Sequence, residues 1–463
     1  MTQTDHPTMP AAATGPRDAE QRLRDRLRQT LTTDLPGRVE TASRTSGAAL
    51  SVAALSVAQR REIGREVLDI AVAAHSEAEL LAGRALVDSV AEQRVVDQVL
   101  DEVFGLGGLQ PLLADRSVET IAVNRYDRVF VQYNDGRRAQ AAPVAASDAE
   151  LTDLIRTLAA RASSEERRFD RGSPALNLQL PGGERLFAVL GLTAGGVTAC
   201  TIRRHGYLTA TLPQLRRRGT LDVGLERFLR ALVRARKNVL VTGGTGAGKT
   251  TLLRGLAAEM DPLERIVTVE DAFELGLDRD PELHADVTAL QAREPNVEGE
   301  GAIDQAELVR WGLRMSPDRV IVGEIRGAEV IPMCNAMSQG NDGSMATLHA
   351  SSSKIAFTRL ASYAAQGPER LPLEATALLV ASAVHFVVHL DRATDRTTRV
   401  IASIREVIDA EDGAVISNEV YRRGPDRRAV PVAGALRADT LDDLTAAGFD
   451  PDLLARPEGW WTP

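Results

Sequence analysis

An α/β fold with a mainly parallel sheet is predicted for the larger part of this 463-residue chain. Short β-rich runs at 239–242, 266–269 and 320–322 alternate with stretches of helical spacing, the pattern of a parallel sheet covered by helices on both faces. A glycine cluster joins the first of these runs to a helix that begins at Lys249. The composition, 44% hydrophobic and 26% charged, is that of a globular protein.

The elements can be justified in chain order. Residues 1–48 are rich in Thr, Ala, Pro, Gly and Arg, and are expected to form a mostly disordered tail with one short helix near 19–31. Residues 49–104 read as a helical module, in which Val95, Val96, Val99, Leu100 and Val103 recur at helical spacing and Gly105 closes the run. Residues 105–212 read as a smaller α+β domain. Strands are expected at 120–123, 128–132, 185–189 and 197–203, turns at 124–127 and 134–136, and a helix over 148–162. A linker at 213–217 and a helix at 225–236 open the alternating region, which runs to 423. Residues 424–463, spotted with Pro, Arg and Gly, are expected to be an irregular tail with a weak helix near 441–446.

Charge and composition exclude several classes of function. A net charge of -9 and only 4% aromatic residues argue against a nucleic-acid-binding protein. Two cysteines, Cys200 and Cys334, are too few for a disulfide framework or a four-cysteine zinc site. They read as buried thiols of a reducing compartment. The N-terminus is polar and lacks the apolar segment of a secretory signal. The most apolar run, 375–384, falls short of the roughly 20 residues that a spanning helix needs. The expectation is a cytoplasmic protein that meets a membrane only through partners.

The strongest motif is Gly243-Gly244-Thr245-Gly246-Ala247-Gly248-Lys249-Thr250, followed by Thr251. It matches the phosphate-binding P-loop in full, between a strand and a helix. The glycines let successive N–H groups point at phosphate oxygens at the positive end of the helix. Lys249 would reach the β- and γ-phosphates of a nucleoside triphosphate, and the Thr250 hydroxyl would hold Mg²⁺. Only three of the 55 cationic residues are lysines, Lys237, Lys249 and Lys354, so a lysine at this position stands out.

Acids follow the other two β-rich runs. Glu324, after 320–322, is placed to polarise an attacking water or to contact Mg²⁺ through water; the competing reading is an exposed acid paired with Arg326. Glu270 and Asp271, after 266–269, either line the Mg²⁺ and water shell or cap the next helix. His349 ends a short β-like run, 344–348, and either senses the γ-phosphate or is structural.

These blocks together resemble the type II/type IV secretion ATPase superfamily, most of all its CpaF-like branch that drives Tad/Flp-type pili. The resemblance covers about residues 90–410. Beside the P-loop it rests on the aspartate box Thr268-Val269-Glu270-Asp271-Ala272-Phe273-Glu274-Leu275 and on Gly323-Glu324-Ile325-Arg326-Gly327 within the Walker B block 313–329. The histidine box at 340–350 and the stretches 293–299 and 105–113 complete it. The resemblance implies a RecA-like P-loop core behind a PAS-like N-terminal domain. It implies Glu324 as the catalytic glutamate, supported by Glu270 and by Asp271 as a water-mediated Mg²⁺ contact, and His349 as a γ-phosphate sensor. Arg185 and Arg203 would close over the nucleotide from the N-terminal domain. It further implies a homo-oligomer, a hexamer, acting on inner-membrane platform proteins. Asn341 stands where the family has a second histidine, and Asn177 and Gln179 stand where it has aspartate and arginine. The four-cysteine insert of some type II secretion ATPases is absent. Two alternatives remain: a DNA-handling P-loop motor, and a non-hydrolysing ATP-binding scaffold.

Overall fold

The computed structural model describes residues 16–46, 57–104, 106–162, 168–180, 182–204, 210–293, 295 and 299–461. Gly105, His205 and part of the 293–299 stretch lie outside them, as do 1–15 and 47–56 of the expected tail and module.

Three helices come first: α1 (Pro16–Ser46), α2 (Val57–Leu81) and α3 (Ser89–Phe104). The expected disordered tail is corrected here. Leu23, Leu27, Leu31 and Leu35 fall one per helical turn along α1, and all four are buried against Leu68 of α2 and Val96, Val99 and Leu100 of α3. The surrounding Arg, Asp and Gln lower the average hydropathy and hide this narrow stripe from a compositional reading.

The N-terminal domain adds α4 (Gln110–Ala114), β1 (Val118–Arg125), β2 (Arg128–Tyr133), β3 (Arg138–Ala141), α5 (Asp148–Ala162), β4 (Ala175–Gln179), β5 (Arg185–Val189) and β6 (Ala199–Arg203). The strands form an antiparallel sheet in the order β3-β2-β1-β6-β5-β4. Helix α5 packs Leu151, Ile155 and Leu158 against one face, on Ile121, Leu186 and Ile202. Residues one position away point to the opposite face. There the register aligns Gln132, Thr120, Arg203, Arg185 and Gln179 in one row across five strands.

The core domain begins where a linker was expected. Instead, α6 (Leu212–Arg217) is a helical turn closed by a capping box between Thr211 and Gln214. It continues with α7 (Val223–Arg234), β7 (Val239–Gly243), α8 (Lys249–Ala257), β8 (Arg265–Glu270), β9 (Asp286–Gln291), α9 (Gln305–Leu313), β10 (Arg319–Ile325) and α10 (Val330–Ser338). After these come β11 (Met345–His349), α11 (Ile355–Gln366), α12 (Leu373–Ala383), β12 (Phe386–Arg392), β13 (Arg399–Glu411), β14 (Ala414–Arg423), β15 (Ala429–Pro431) and α13 (Ala438–Ala446). The sheet runs β15-β14-β13-β12-β7-β11-β10-β8-β9. From β12 to β9 it is parallel, and β13 to β15 extend it antiparallel. Separate apolar clusters cover its two faces, as the α/β reading requires.

The expected irregular C-terminal tail is a docked segment. Leu444 of α13 and Phe449 are buried in the core, with the Phe449 ring edge-on to Phe228 at 5.4 Å. The Trp460 amide donates to Asp222 Oδ2 at 2.7 Å, and Trp461 Nε1 donates to the Ala429 carbonyl at 2.8 Å. Lys237 pins α13 through Asp443 at 2.6 Å. Lys354 is exposed. Cys200 and Cys334 are free and buried, and burial pushes both thiols up to about 12. Among the described residues, no helix is long and apolar enough to cross a membrane.

Candidate functional site

Parallel strands end on one edge of their sheet, so side chains at their carboxyl ends converge. Strand β11 lies between β7 and β10 and pairs His349 with Gly243 and Leu348 with Ile325. The P-loop, His349 and Glu324 thereby meet at a single edge.

The P-loop turns directly out of β7 into α8. Gly246 and Gly248 hold left-handed backbone, with φ of 69° and 97°, which lets the loop wrap around a space instead of filling it. Gly248 caps α8, whose positive end faces that space. Lys249 is buried, with Nζ 3.3 Å from the carbonyl oxygens of Gly243 and Gly244, 3.2 Å from His349 Nε2 and 3.7 Å from Glu324 Oε1. Burial lowers its pKa, partly opposed by Glu324. Burial, followed by the Lys249 charge, likewise lowers the pKa of His349, whose Nε2 lies 2.8 Å from Glu324 Oε1.

These groups line a cavity of about 140 Å³, together with Thr245, Ala247, Thr250, Thr251, Gly323 and Arg326. Its opposite wall is the N-terminal domain, through Glu119, Asn134, Arg203 and Arg204. A contiguous cavity of about 280 Å³ shares Asn134, Ala247, Gly248, Thr251 and Arg399, and adds Gln214, Leu215, Leu252 and Leu390. The first is polar and carries the loop; the second sets Leu215, Leu252 and Leu390 among polar groups, a mixed lining that suits a nucleoside.

The N-terminal arginines separate. Arg203 lines the cavity. Arg185, its neighbour in the same row, does not; it pairs with Asp271 at 3.1 Å and Glu274 at 3.8 Å, and its Nε donates to Asn177 Oδ1 at 3.3 Å. Gln179 Nε2 donates to the Phe273 carbonyl at 3.2 Å. Gln179 thus docks the domain onto the aspartate box directly, and Asn177 braces Arg185, which pairs with it. Asn341 ties the histidine box to the Walker B block through the Pro317 carbonyl at 2.6 Å.

The aspartate box departs from expectation. Asp271 lines an adjoining groove and not the P-loop cavity, and Arg185 and Arg326 both hold its Oδ2 at 3.1 Å. Glu270 is buried, and its Oε2 accepts N–H groups from Glu274 at 2.6 Å and Leu275 at 2.8 Å. Its other oxygen has no partner among the described residues. Gly323 makes room for it, since a Cβ there would stand 3.0 Å from Glu270 Cγ. This is an anchor for the 274–275 turn, which Arg254 grips from the other side through the Leu275 carbonyl at 2.8 Å. Burial pushes the Glu270 carboxyl up to about 7. A raised folded-state pKa means that its stabilising contribution is complete below the usual carboxyl range and is lost as pH rises through about 7. Glu270→Gln keeps an acceptor for both N–H groups and removes the charge. Its melting temperature, measured at pH 5.5 and pH 8, is expected to gain on wild type as pH rises; an equal offset at both pH values would contradict the buried-acid assignment.

Arg399 escaped the sequence reading. It comes from β13, some 150 residues beyond the loop, and its Nε donates to the Gly246 carbonyl at 2.9 Å while Nη2 lies 3.6 Å from Glu119. Among 52 arginines (55 cationic residues less three lysines) nothing in the sequence marks it.

The donor chemistry fits a magnesium nucleotide. The loop presents N–H groups, an ammonium and a hydroxyl, while Glu324 supplies one carboxylate. Among the described residues, no cluster of three or more His, Cys, Asp or Glu could hold a metal by itself. Mg²⁺ that arrives with phosphate needs no such cluster, because phosphate oxygens and water fill most of its shell.

Comparison with known proteins shows the family. The family model described as type II/IV secretion system protein matches residues 105–426. A Mycobacterium tuberculosis protein named for conjugal transfer is 37% identical over 66% of this chain and 86% of its own length. The type IV secretion system protein PtlH of Bordetella pertussis is 32% identical over 66% of this chain and 93% of its own. The crystal structure of the VirB11 ATPase of Brucella suis in complex with sulphate is 26% identical, covers 67% of this chain and 96% of that one, and superposes with a TM-score of 0.34. With a complete P-loop at the edge of a RecA-like sheet and a family match over most of its length, the chain belongs to the type II/IV secretion system protein family and is an ATP-hydrolysing enzyme.

Proposed function

We propose that this ATPase is a cytoplasmic motor of the CpaF-like branch, a homo-hexamer that powers assembly of Tad/Flp-type pili through inner-membrane platform proteins. One observation carries the motor reading: the P-loop cavity has its second wall on another domain, through Arg203, Glu119 and Asn134. A ligand charged at the γ-position attracts Arg203 and Lys249 from opposite sides, so binding favours closure and phosphate loss releases it.

Within this reading Lys249 and the loop N–H groups bind the phosphates, and the Thr250 hydroxyl takes Mg²⁺. The bound Mg²⁺ offsets charge on the phosphates. Glu324 accepts a hydrogen bond from the attacking water, and His349, beside both Glu324 and Lys249, senses the terminal phosphate. The contiguous cavity lined by Leu215, Leu252 and Leu390 takes the nucleoside. Asp271 and Glu270 hold the domain contact and the turn behind it.

Deleting the gene in its source organism is expected to abolish surface pili, and the wild-type gene to restore them. Normal piliation with a loss of conjugal DNA transfer would select the transfer reading, which the Mycobacterium relative's name favours. The net charge of -9 argues against direct DNA contact in either case.

A further inference from the structure

Glu324 has both carboxylate oxygens engaged. Oε1 meets His349 Nε2 at 2.8 Å and Lys249 Nζ at 3.7 Å. Oε2 accepts from Arg326 through both Nε and Nη2. The remaining nitrogen of that guanidinium, Nη1, lies 3.1 Å from Asp271 Oδ2, and Arg185 Nη2 lies 3.1 Å from the same oxygen. Arg185, Asp271, Arg326 and Glu324 therefore form one line of alternating charge, and its first member stands on β5 of the other domain.

A carboxylate clamped by a guanidinium fork is a poor acceptor for water, because water must first displace a charge-assisted bond. Two acids share one guanidinium here, so whatever strengthens the hold of Asp271 on Arg326 weakens the hold of Arg326 on Glu324. Arg185 sets that balance. While it neutralises Asp271, Arg326 rests on Glu324; once it leaves, Asp271 draws Arg326 away. Arg185, Asp271 and Arg326 are 25%, 39% and 50% exposed, so solvent weakens each pair and a small domain movement suffices to redistribute them.

We propose that Arg326 is a positioning residue that clamps Glu324, and that the Arg185–Asp271 pair across the domain boundary decides when the clamp opens. The proposal rests on the reading of Glu324 as the residue that polarises water.

Steady-state ATP turnover of the full chain tests it. Asp271→Asn removes the competing acid and is expected to lower kcat about tenfold at unchanged KM. Arg326→Gln opens the clamp and is expected to raise kcat about threefold. The double variant should match Arg326→Gln alone, since without the clamp Asp271 has nothing to compete for. Adding Arg185→Gln to Asp271→Asn should change kcat no further. An Asp271→Asn loss that Arg326→Gln leaves uncorrected would overturn the proposal and make Asp271 a metal or scaffold residue. So would a fall in kcat or a tenfold rise in KM for Arg326→Gln by itself, a result that does not depend on the folding of any other variant. Glu324→Gln separates the two levels: wild-type turnover in that chain sinks the reading of the site, whereas an inactive Glu324→Gln without the rescue sinks only the clamp.

Discussion

Lys249→Ala is expected to lower kcat/KM for ATP by about 10³-fold or more, because a preorganised cation is removed from a water-poor site where it meets developing phosphate charge. The ammonium of Lys249 touches two P-loop carbonyls, an imidazole and a carboxylate, and every contact lies between 3.2 and 3.7 Å. Only a compact point charge fits that cage. Lys249→Arg is therefore expected to fail almost as badly, although arginine is the ordinary cation of this chain. The folded protein should not suffer. Burial already disfavours the charged lysine, so the alanine variant is expected to melt at or above the wild-type temperature. Turnover together with binding of a fluorescent ATP analogue checks the prediction. Wild-type hydrolysis in Lys249→Ala would remove the loop from the chemistry altogether.

The central strands of the core could be found from sequence because both of their faces are covered, which leaves short unbroken apolar runs such as Val239 to Val241. Segments whose partners lie far away in the chain were illegible. The last forty residues look irregular until Phe449 meets Phe228 and Trp460 meets Asp222. Helix α1 hid for another reason: a stripe one leucine wide leaves the average composition polar. The site shows the same division. Glu324 at a strand end was visible, and its two competing readings were an active carboxylate and a partner of Arg326. The structure gives it that partner and also places it in the P-loop cavity, only 16% exposed. Glu270 sat equally well at a strand end and reads alike in sequence. Its burial depends on Gly323 leaving room on the neighbouring strand, which only the strand pairing reveals. Arg185 and Arg203 share one register row, yet Arg203 lines the nucleotide cavity while Arg185 meets Asp271. That choice depends on how two domains dock, and no local pattern encodes it.

Glu324→Gln is expected to lower kcat by about 10²–10⁴-fold while ATP binding is retained, the signature of a lost proton acceptor and not of a lost binding contact. The amide matches the carboxylate in shape, keeps one oxygen for Arg326 and contributes nothing to holding phosphate. Lys249 and the loop N–H groups remain in place to bind nucleotide. A pH series extends the argument. With its pKa lowered by burial and by Lys249, His349 is neutral near pH 7 and can donate Nε2–H to Glu324. Acidification through that lowered value charges the ring, sets a second cation beside Lys249 and tightens the grip on the carboxylate. Wild-type kcat is therefore expected to fall on the acid side, below the usual histidine range, and His349→Gln should displace or erase that limb. A Glu324→Gln chain that turns over ATP at the wild-type rate would dismiss the glutamate. An acid limb that persists unmoved in His349→Gln would assign the titration to another group and leave the histidine as a structural neighbour.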